Sequence, residues 1–224
     1  MNIKRALVVA TLALAMIASG ETVAYAAPVF PSGVASRTLT PDGTDKYTTS
    51  RGVASLTVSA PASNSGGNLR RVYWPTGAKD RRDSTVCASW AALSQDSVQP
   101  GIAHRITSTR AVTVTRNVWA AVYWVLNVHT WNGQTFTQVA QFDYASVLLL
   151  PAGGYRPLPW RVCSRLIGSN ISVKVWFPPE AEPSWSDASR VQTAAITAAW
   201  SGKSGWYAGH IPPGGSIYMT GLMT

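Results

Sequence analysis

From Ser55 onward, apolar and polar residues alternate with a period of two along most of the chain, which is the pattern of half-buried β-strands. The clearest stretch runs from Leu158 to Trp185. Leu158, Trp160, Val162, Ser164 and Leu166 share one parity, Gly168-Ser169-Asn170 supplies turn chemistry, and Ile171, Val173, Val175 and Phe177 resume the alternation. A Pro-rich loop follows and closes on Trp185. Further strands are predicted over 55–59, 83–93 (Val86, Ala88, Trp90 and Ala92 on one face), 101–107 (Ile102, His104 and Ile106 inward) and 111–116. Residues 118–131 read as one long strand with a bend or bulge, residues 136–149 as one or two strands, and 205–210 and 216–222 as the last two. Helical periodicity is nearly absent: the alanines of 189–200 allow a short helix, but strand or loop is the reading there. Residues 38–65 are poor in large apolar side chains. Ser63 to Asn68 reads as a flexible loop, and Ala27 to Ser36 as a loose N-terminal arm. Short strands separated by Gly, Pro and Asn turns predict an all-β, antiparallel β-sandwich.

The N-terminus changes the picture of length. Met1 to Arg5 is a short basic segment, Ala6 to Ala18 an apolar run, and Ala24-Tyr25-Ala26 a small-residue cleavage site. This is the pattern of a secretory signal peptide over 1–26. It leaves residues 27–224 as one sandwich domain in a secreted, extracellular or envelope-associated protein. The apolar run is too short to span a membrane, and no later segment is long enough. Removing Lys4, Arg5 and Glu21 from the chain's 19 basic and 10 acidic residues leaves 17 and 9, a net charge of +8. Such a surface suits an anionic lipid or an acidic polymer. No block of Lys and Arg of the nucleic-acid-binding kind is present; Arg70-Arg71 and 79–82 are the densest clusters. Cys87 and Cys163 are an even pair in an exported chain and are expected to form one disulfide.

The segments QPGIAHRI (99–106), AVTVTRN (111–117), NVHTWNG (127–133), LPWRVCSRLIG (158–168) and VKVWFPPEAEPSW (173–185) resemble secreted actinobacterial proteins with concanavalin A-like (laminin G-like) jelly rolls. The resemblance covers roughly Asp83 to the C-terminus. It rests on Gly101-x-x-x-Arg105 and on Trp160 with seven residues between it and Gly168, ahead of the Lys174-x-Trp176 strand. It implies a jelly-roll sandwich, with glycan binding as the default function.

Catalytic patterns are hard to find. Glycoside hydrolases of that fold need two carboxylates a few residues apart on one strand, an acid and a nucleophile across the scissile bond. After the signal the chain has only Glu180 and Glu182, both in the Pro-rich loop, where a solvated turn is the expected setting. Asp143 stands alone on its strand. Jelly-roll polysaccharide lyases use Tyr, His and Arg instead, so a polysaccharide-cleaving enzyme stays open. His104, His129 and His210 are too far apart in sequence to suggest a metal site, and His104 shares the inward parity of a hydrogen-bonded core histidine. Acidic residues are too sparse to assign calcium. No cofactor and no catalytic residue is expected.

The aromatic strand carries the better lead. Its even positions, Val118, Ala120, Val122, Trp124, Leu126 and Val128, are apolar and should enter the core. The opposite face then offers Tyr123, Asn127, His129 and Trp131, with Arg105 at the edge and Arg161 and Arg165 on the same face. Aromatic rings with amide and imidazole groups make a sugar platform. The first reading is therefore a secreted, non-catalytic domain binding a carbohydrate, an acidic envelope or extracellular polysaccharide in particular. A structural or adhesive cell-surface protein is the second reading, and the lyase-like enzyme the third.

Overall fold

The computed structural model describes residues 29–119 and 123–224; the expected signal peptide and Ala120–Val122 lie outside them. The described residues form β1 (Val34–Thr40), β2 (Thr48–Arg51), β3 (Leu56–Ser59), β4 (Arg70–Pro75), β5 (Ser84–Leu93), β6 (Gln99–Ile106) and β7 (Arg110–Trp119). They continue with β8 (Tyr123–Asn132), β9 (Thr135–Asp143), a one-turn helix α1 (Ala145–Leu148), β10 (Trp160–Ile167), β11 (Asn170–Trp176), β12 (Val191–Ala195), β13 (Lys203–Gly209) and β14 (Ser216–Met223). Two seven-stranded sheets result. The front sheet runs β1-β4-β13-β6-β7-β8-β9 and the back sheet β12-β11-β10-β5-β14-β3-β2, with every ladder antiparallel. The chain is thus an all-β antiparallel sandwich.

The core lies between the sheets and is built where the alternation put it. Trp90, Trp160 and Trp206 are fully buried. Trp90 and Trp160 are cross-strand partners in the β5–β10 ladder, with ring centroids 6.4 Å apart. Val162, Val173 and Val175 surround them, and Trp124 is half-buried at the rim against Tyr155. A buried indole favours a partner for its N–H, and two of the three have one, while Trp90 Nε1 has no protein partner. Trp160 donates to the Arg156 carbonyl (2.8 Å) and Trp206 to the Cys87 carbonyl (3.1 Å). Arg116 enters the same space: its guanidinium stands 5.1 Å from the Trp160 ring and donates to the Asp96 carbonyl at 2.5 Å.

Four local expectations change. The stretch 118–131 is not one strand: β7 ends at Trp119 and β8 starts at Tyr123, pairing Val118 with Trp124. The parity survives the reversal, so Val118, Trp124, Leu126 and Val128 still face the core. The loose arm is tied down from residue 29 on. Phe30 is fully buried edge-on to Trp206 at 5.4 Å, its carbonyl accepts from Arg51 (2.7 Å), and β1 begins at Val34. The loop at 63–68 is pinned by carboxylates, because Asp45 accepts from the Ser65 and Gly66 N–H groups and Asp42 from that of Asn68. Finally, β6 carries a bulge: Lys203 pairs with Ile106 but Gly205 with Ala103. Arg105 sits there at φ 49°, and Ile106 consequently joins the outer cluster with Ala103 and Tyr207 instead of the core.

The outer face of the back sheet is organised around Cys87 and Cys163. They are direct cross-strand partners of β5 and β10, with Cα atoms 4.1 Å apart, and form a buried disulfide. Trp176 and Trp185 pack over it. The buried Lys174 lies 4.4 Å from the Trp185 ring and is held by the Pro183 carbonyl and Glu182. Glu180 bridges Arg156 (2.8 Å) and Arg190 (3.0 Å). Both glutamates are therefore clips of the Pro-rich loop, where a solvated turn was expected.

The bridge spans 76 residues of sequence, so its removal should cost about 4–5 kcal/mol in the chain-entropy model. Urea melts of the Cys87→Ser/Cys163→Ser double variant measure this. Two titratable thiols in the exported wild-type protein would contradict the pairing.

Candidate functional site

Side chains on β8 alternate between core and solvent, so Asn127, His129 and Trp131 emerge together on the outer face of the front sheet. Opposite them on that face stand Arg70 of β4, Gln99 of β6 and Tyr207 of β13. Phe136 and Gln138 of β9 and His210, just past β13, complete a cleft of 180 Å³. Gly101 makes the floor possible. A Cβ there would meet the Tyr207 ring at 3.1 Å and the Val114 carbonyl at 2.5 Å, so only glycine lets Tyr207 lie across β6.

Phe136, 48% exposed, is the aromatic that presents its surface. His129 and Trp131 pack against it with centroids at 4.8 and 5.0 Å, and the Arg70 guanidinium stands 5.6 Å from the ring centre. Arg70 is fixed from behind: its Nε donates to His210 Nε2 (3.0 Å) and its Nη1 to Thr40 Oγ1 (3.3 Å). With five N–H donors, a guanidinium so held keeps others for a ligand. His210 makes its contact from a left-handed backbone at φ 54°, a conformation uncommon outside glycine and costly to hold. Two buried polar atoms in the cleft wall, Asn127 Oδ1 and His129 Nδ1, have no protein partner.

Electrostatics follow from burial beside a fixed cation. Burial, then the Arg70 charge, pushes the His129 imidazole down to about 4, against an opposing hydrogen bond with Gln138. The same two causes push His210 down to about 4. Burial raises the Tyr207 phenol well above its ordinary value. At neutral pH the cleft therefore holds neutral imidazoles and a neutral phenol around one guanidinium.

The structure brings Asn127, His129 and Trp131 of the expected platform together and separates the rest. Trp131 is only 2% exposed, with its Nε1 donating to Thr113 Oγ1 at 2.9 Å. It supports the Phe136 ring instead of offering its own face, because the tight β8–β9 hairpin sets Phe136 directly opposite it. Tyr123 is half exposed on the same strand but six residues, or about 20 Å, from His129, outside the cleft. Arg105 is buried: the β6 bulge turns it away from the platform, and it donates to the carbonyls of Arg82 (2.7 Å), Gly168 (2.5 Å) and Ala198. Arg161 and Arg165 belong to β10 in the back sheet and so lie across the sandwich. Sequence reasoning missed Phe136, Arg70 and His210. Arg70 was visible within a basic cluster, but only the β4–β13 pairing shows what it faces.

Other candidate chemistry is accounted for by structure. His104 is fully buried between Ser84 Oγ (2.7 Å) and Ser164 Oγ (3.0 Å), and burial followed by the Arg105 charge pushes it down to about 3. Asp143 accepts from the Ala145 N–H at the start of α1. Among the described residues no group of three or more His, Cys, Asp or Glu is placed to hold a metal, and no helix is long and apolar enough to cross a membrane. A larger cleft of 560 Å³ opens at one end of the sandwich beside Lys79, Arg81 and Thr224. Its lining has neither an aromatic ring nor a side-chain amide or imidazole, so it lacks the directional groups of the Phe136 cleft.

No protein-family model matches the chain, and no curated protein does. Solved structures of low similarity exist. One is a protein of unknown function with a galectin-like fold from Bacillus subtilis (12% identity, TM-score 0.46, covering 84% of this chain and 90% of that one). Another is the exoplasmic/lumenal domain of VIP36 in its Ca²⁺/Man3GlcNAc-bound form (10%, 0.45, 80% and 85%). A third is the CBM2 module of the evolved Dit of Lactobacillus casei BL23 phage J-1 (11%, 0.41, 85% and 88%). At these overlaps the likenesses add nothing to the sandwich already described.

Two outcomes follow. Trp131→Ala should destabilise by about 3–5 kcal/mol in denaturant melts, the cost of a buried aromatic; a loss below about 1 kcal/mol would place the indole at the surface. All three histidines are depressed from an ordinary value of about 6.5, so the unfolded chain takes up protons before the folded one does. Stability should therefore be full above about pH 6.5 and fall as the pH drops toward 4, with His104 extending the loss to about 3. Thermal melts across that window check it, and His129→Gln/His210→Gln should flatten the slope. A midpoint constant between pH 6.5 and 4 would contradict the assignment.

Proposed function

We propose that the protein is a secreted, non-catalytic carbohydrate-binding protein whose cleft on the outer face of the front sheet takes an acidic saccharide. The observation that carries this reading is the half-exposed Phe136 ring with the braced Arg70 guanidinium beside it and unpartnered amide and imidazole atoms in the same wall. A sugar ring stacks its C–H face on an aromatic, its hydroxyls need donors and acceptors at fixed positions, and a carboxylate or sulfate suits a guanidinium fork. Asn127 and His129 line the cleft and bring an amide and an imidazole to a ligand's hydroxyls. Export is supported by the signal-like N-terminus and by the disulfide, which suits an oxidising compartment. The adhesive reading, in which this face meets a protein, is favoured by one fact: the expected indole platform at Trp131 is covered.

A glycan array followed by calorimetry separates the two readings. Acidic glycans should bind. Phe136→Ala should lower their affinity at least tenfold while shifting the thermal midpoint little, because the ring is half exposed. Arg70→Gln should weaken acidic ligands more than neutral ones, and the difference should shrink in high salt. An array on which no glycan binds, or a Phe136→Ala variant that binds like wild type, overturns the proposal.

A further inference from the structure

A second cleft, of 200 Å³, opens on the other side of Phe136 and shares Phe136 and Trp131 as walls with the first. Its far side is formed by Arg110, Asn132, Thr197 and Trp200. It repeats the chemistry of the first: the Arg110 guanidinium stands 5.3 Å from the Trp200 ring centre, as Arg70 stands 5.6 Å from that of Phe136. Trp200 is also held in place. Its Nε1 donates to the Arg105 carbonyl at 2.7 Å, and Arg105 is itself locked at the β6 bulge by three backbone carbonyls. The buried arginine that was expected to touch ligand thus fixes the indole of the neighbouring cleft.

Resting on the reading of the Phe136 cleft as an acidic-saccharide site, we propose that the two clefts are consecutive subsites for one polymeric chain. The ligand is then an acidic polysaccharide recognised along its length, not a single terminal sugar. The clefts meet along Trp131 and Phe136, the first on the outer face of β8 and the second at the Arg110–Asn132 end of the β7–β8 ladder, so a chain passing over Phe136 would contact both. Each subsite pairs one arginine with one partly or half-exposed aromatic, so negative charges along a uronate chain meet a cation on either side of Phe136. Once the first subsite is filled, the next sugar arrives at high effective concentration, and affinity grows with length.

The test is calorimetry of the full chain with oligogalacturonates from the monosaccharide to the hexamer. Affinity should rise at least tenfold between the monosaccharide and the longer oligomers. In Trp200→Ala and in Arg110→Gln the hexamer should bind no tighter than the disaccharide. Trp200→Ala removes a partner of the Arg105 carbonyl, so Arg110→Gln, at an exposed position, is the variant that decides if the first fails to fold. Affinity independent of length, or an Arg110→Gln protein that keeps the full gain, overturns the two-subsite proposal alone. No binding at any length overturns it together with the reading of the Phe136 cleft.

Discussion

The outer face of the front sheet depends on one ladder. β7 and β8 pair without a register shift from Arg110 opposite Asn132 to Trp119 opposite Tyr123. Because side chains alternate across a sheet, a slip of one residue would exchange Leu126 and Val128 with Asn127 and His129. Burial of the first pair in the sandwich is therefore the same constraint that presents the second pair to the cleft. The ladder also sets Thr113 opposite His129, within reach of the Trp131 indole N–H, and so holds the aromatic bed under Phe136.

Charge is divided by the same geometry. Arg105 and Arg116 point inward and are satisfied by carbonyls, with Asp83 and Asp96 each 3.7 Å away. A buried guanidinium is tolerable only with such hydrogen bonds and a nearby carboxylate, although Arg116 Nε has no protein partner. These two arginines join loops at the ends of the sandwich. Arg70 on the outer face and Arg110 at the end of the β7–β8 ladder instead stand beside partly or half-exposed rings, where a cation remains available to a ligand. On the opposite side of the molecule, Arg161, Lys174 and Arg165 lie against Trp176 and Trp185 above the disulfide and stabilise the Pro-rich loop. A basic sequence is thus spent on three tasks, only one of which faces a ligand.

How far the sequence was legible follows from which forces are local. Alternation is a local signal of burial, and the parity of β5, β10 and β11, the cysteine pair and the hydrogen-bonded core role of His104 could be read directly from it. The parity of β8 was readable even though its boundary with β7 was not, because the antiparallel reversal kept even positions inward. Strands β1, β2 and β4 were missed. β1 and β2 lie in polar or Ser/Thr-rich sequence, and the partners of β1 and β4 are far along the chain, as with β4 and β13. Arg105 failed as a ligand residue because a bulge breaks the alternation, and nothing local announces a bulge at a residue other than glycine. Trp131 failed as a platform, and Phe136 was overlooked, because exposure depends on which ring lies on top across a hairpin. His210 was invisible for a related reason: its left-handed backbone and its grip on Arg70 join residues 140 positions apart.

The most direct measurement of the central claim is a crystal structure of the protein with an acidic oligosaccharide. A sugar ring should stack on Phe136, with its carboxylate or sulfate on Arg70 and its hydroxyls within hydrogen-bond distance of the Asn127 and His129 side chains. A ligand seated elsewhere, in the larger cleft beside Lys79 and Arg81 for example, with the Phe136 cleft left to solvent, would contradict that claim.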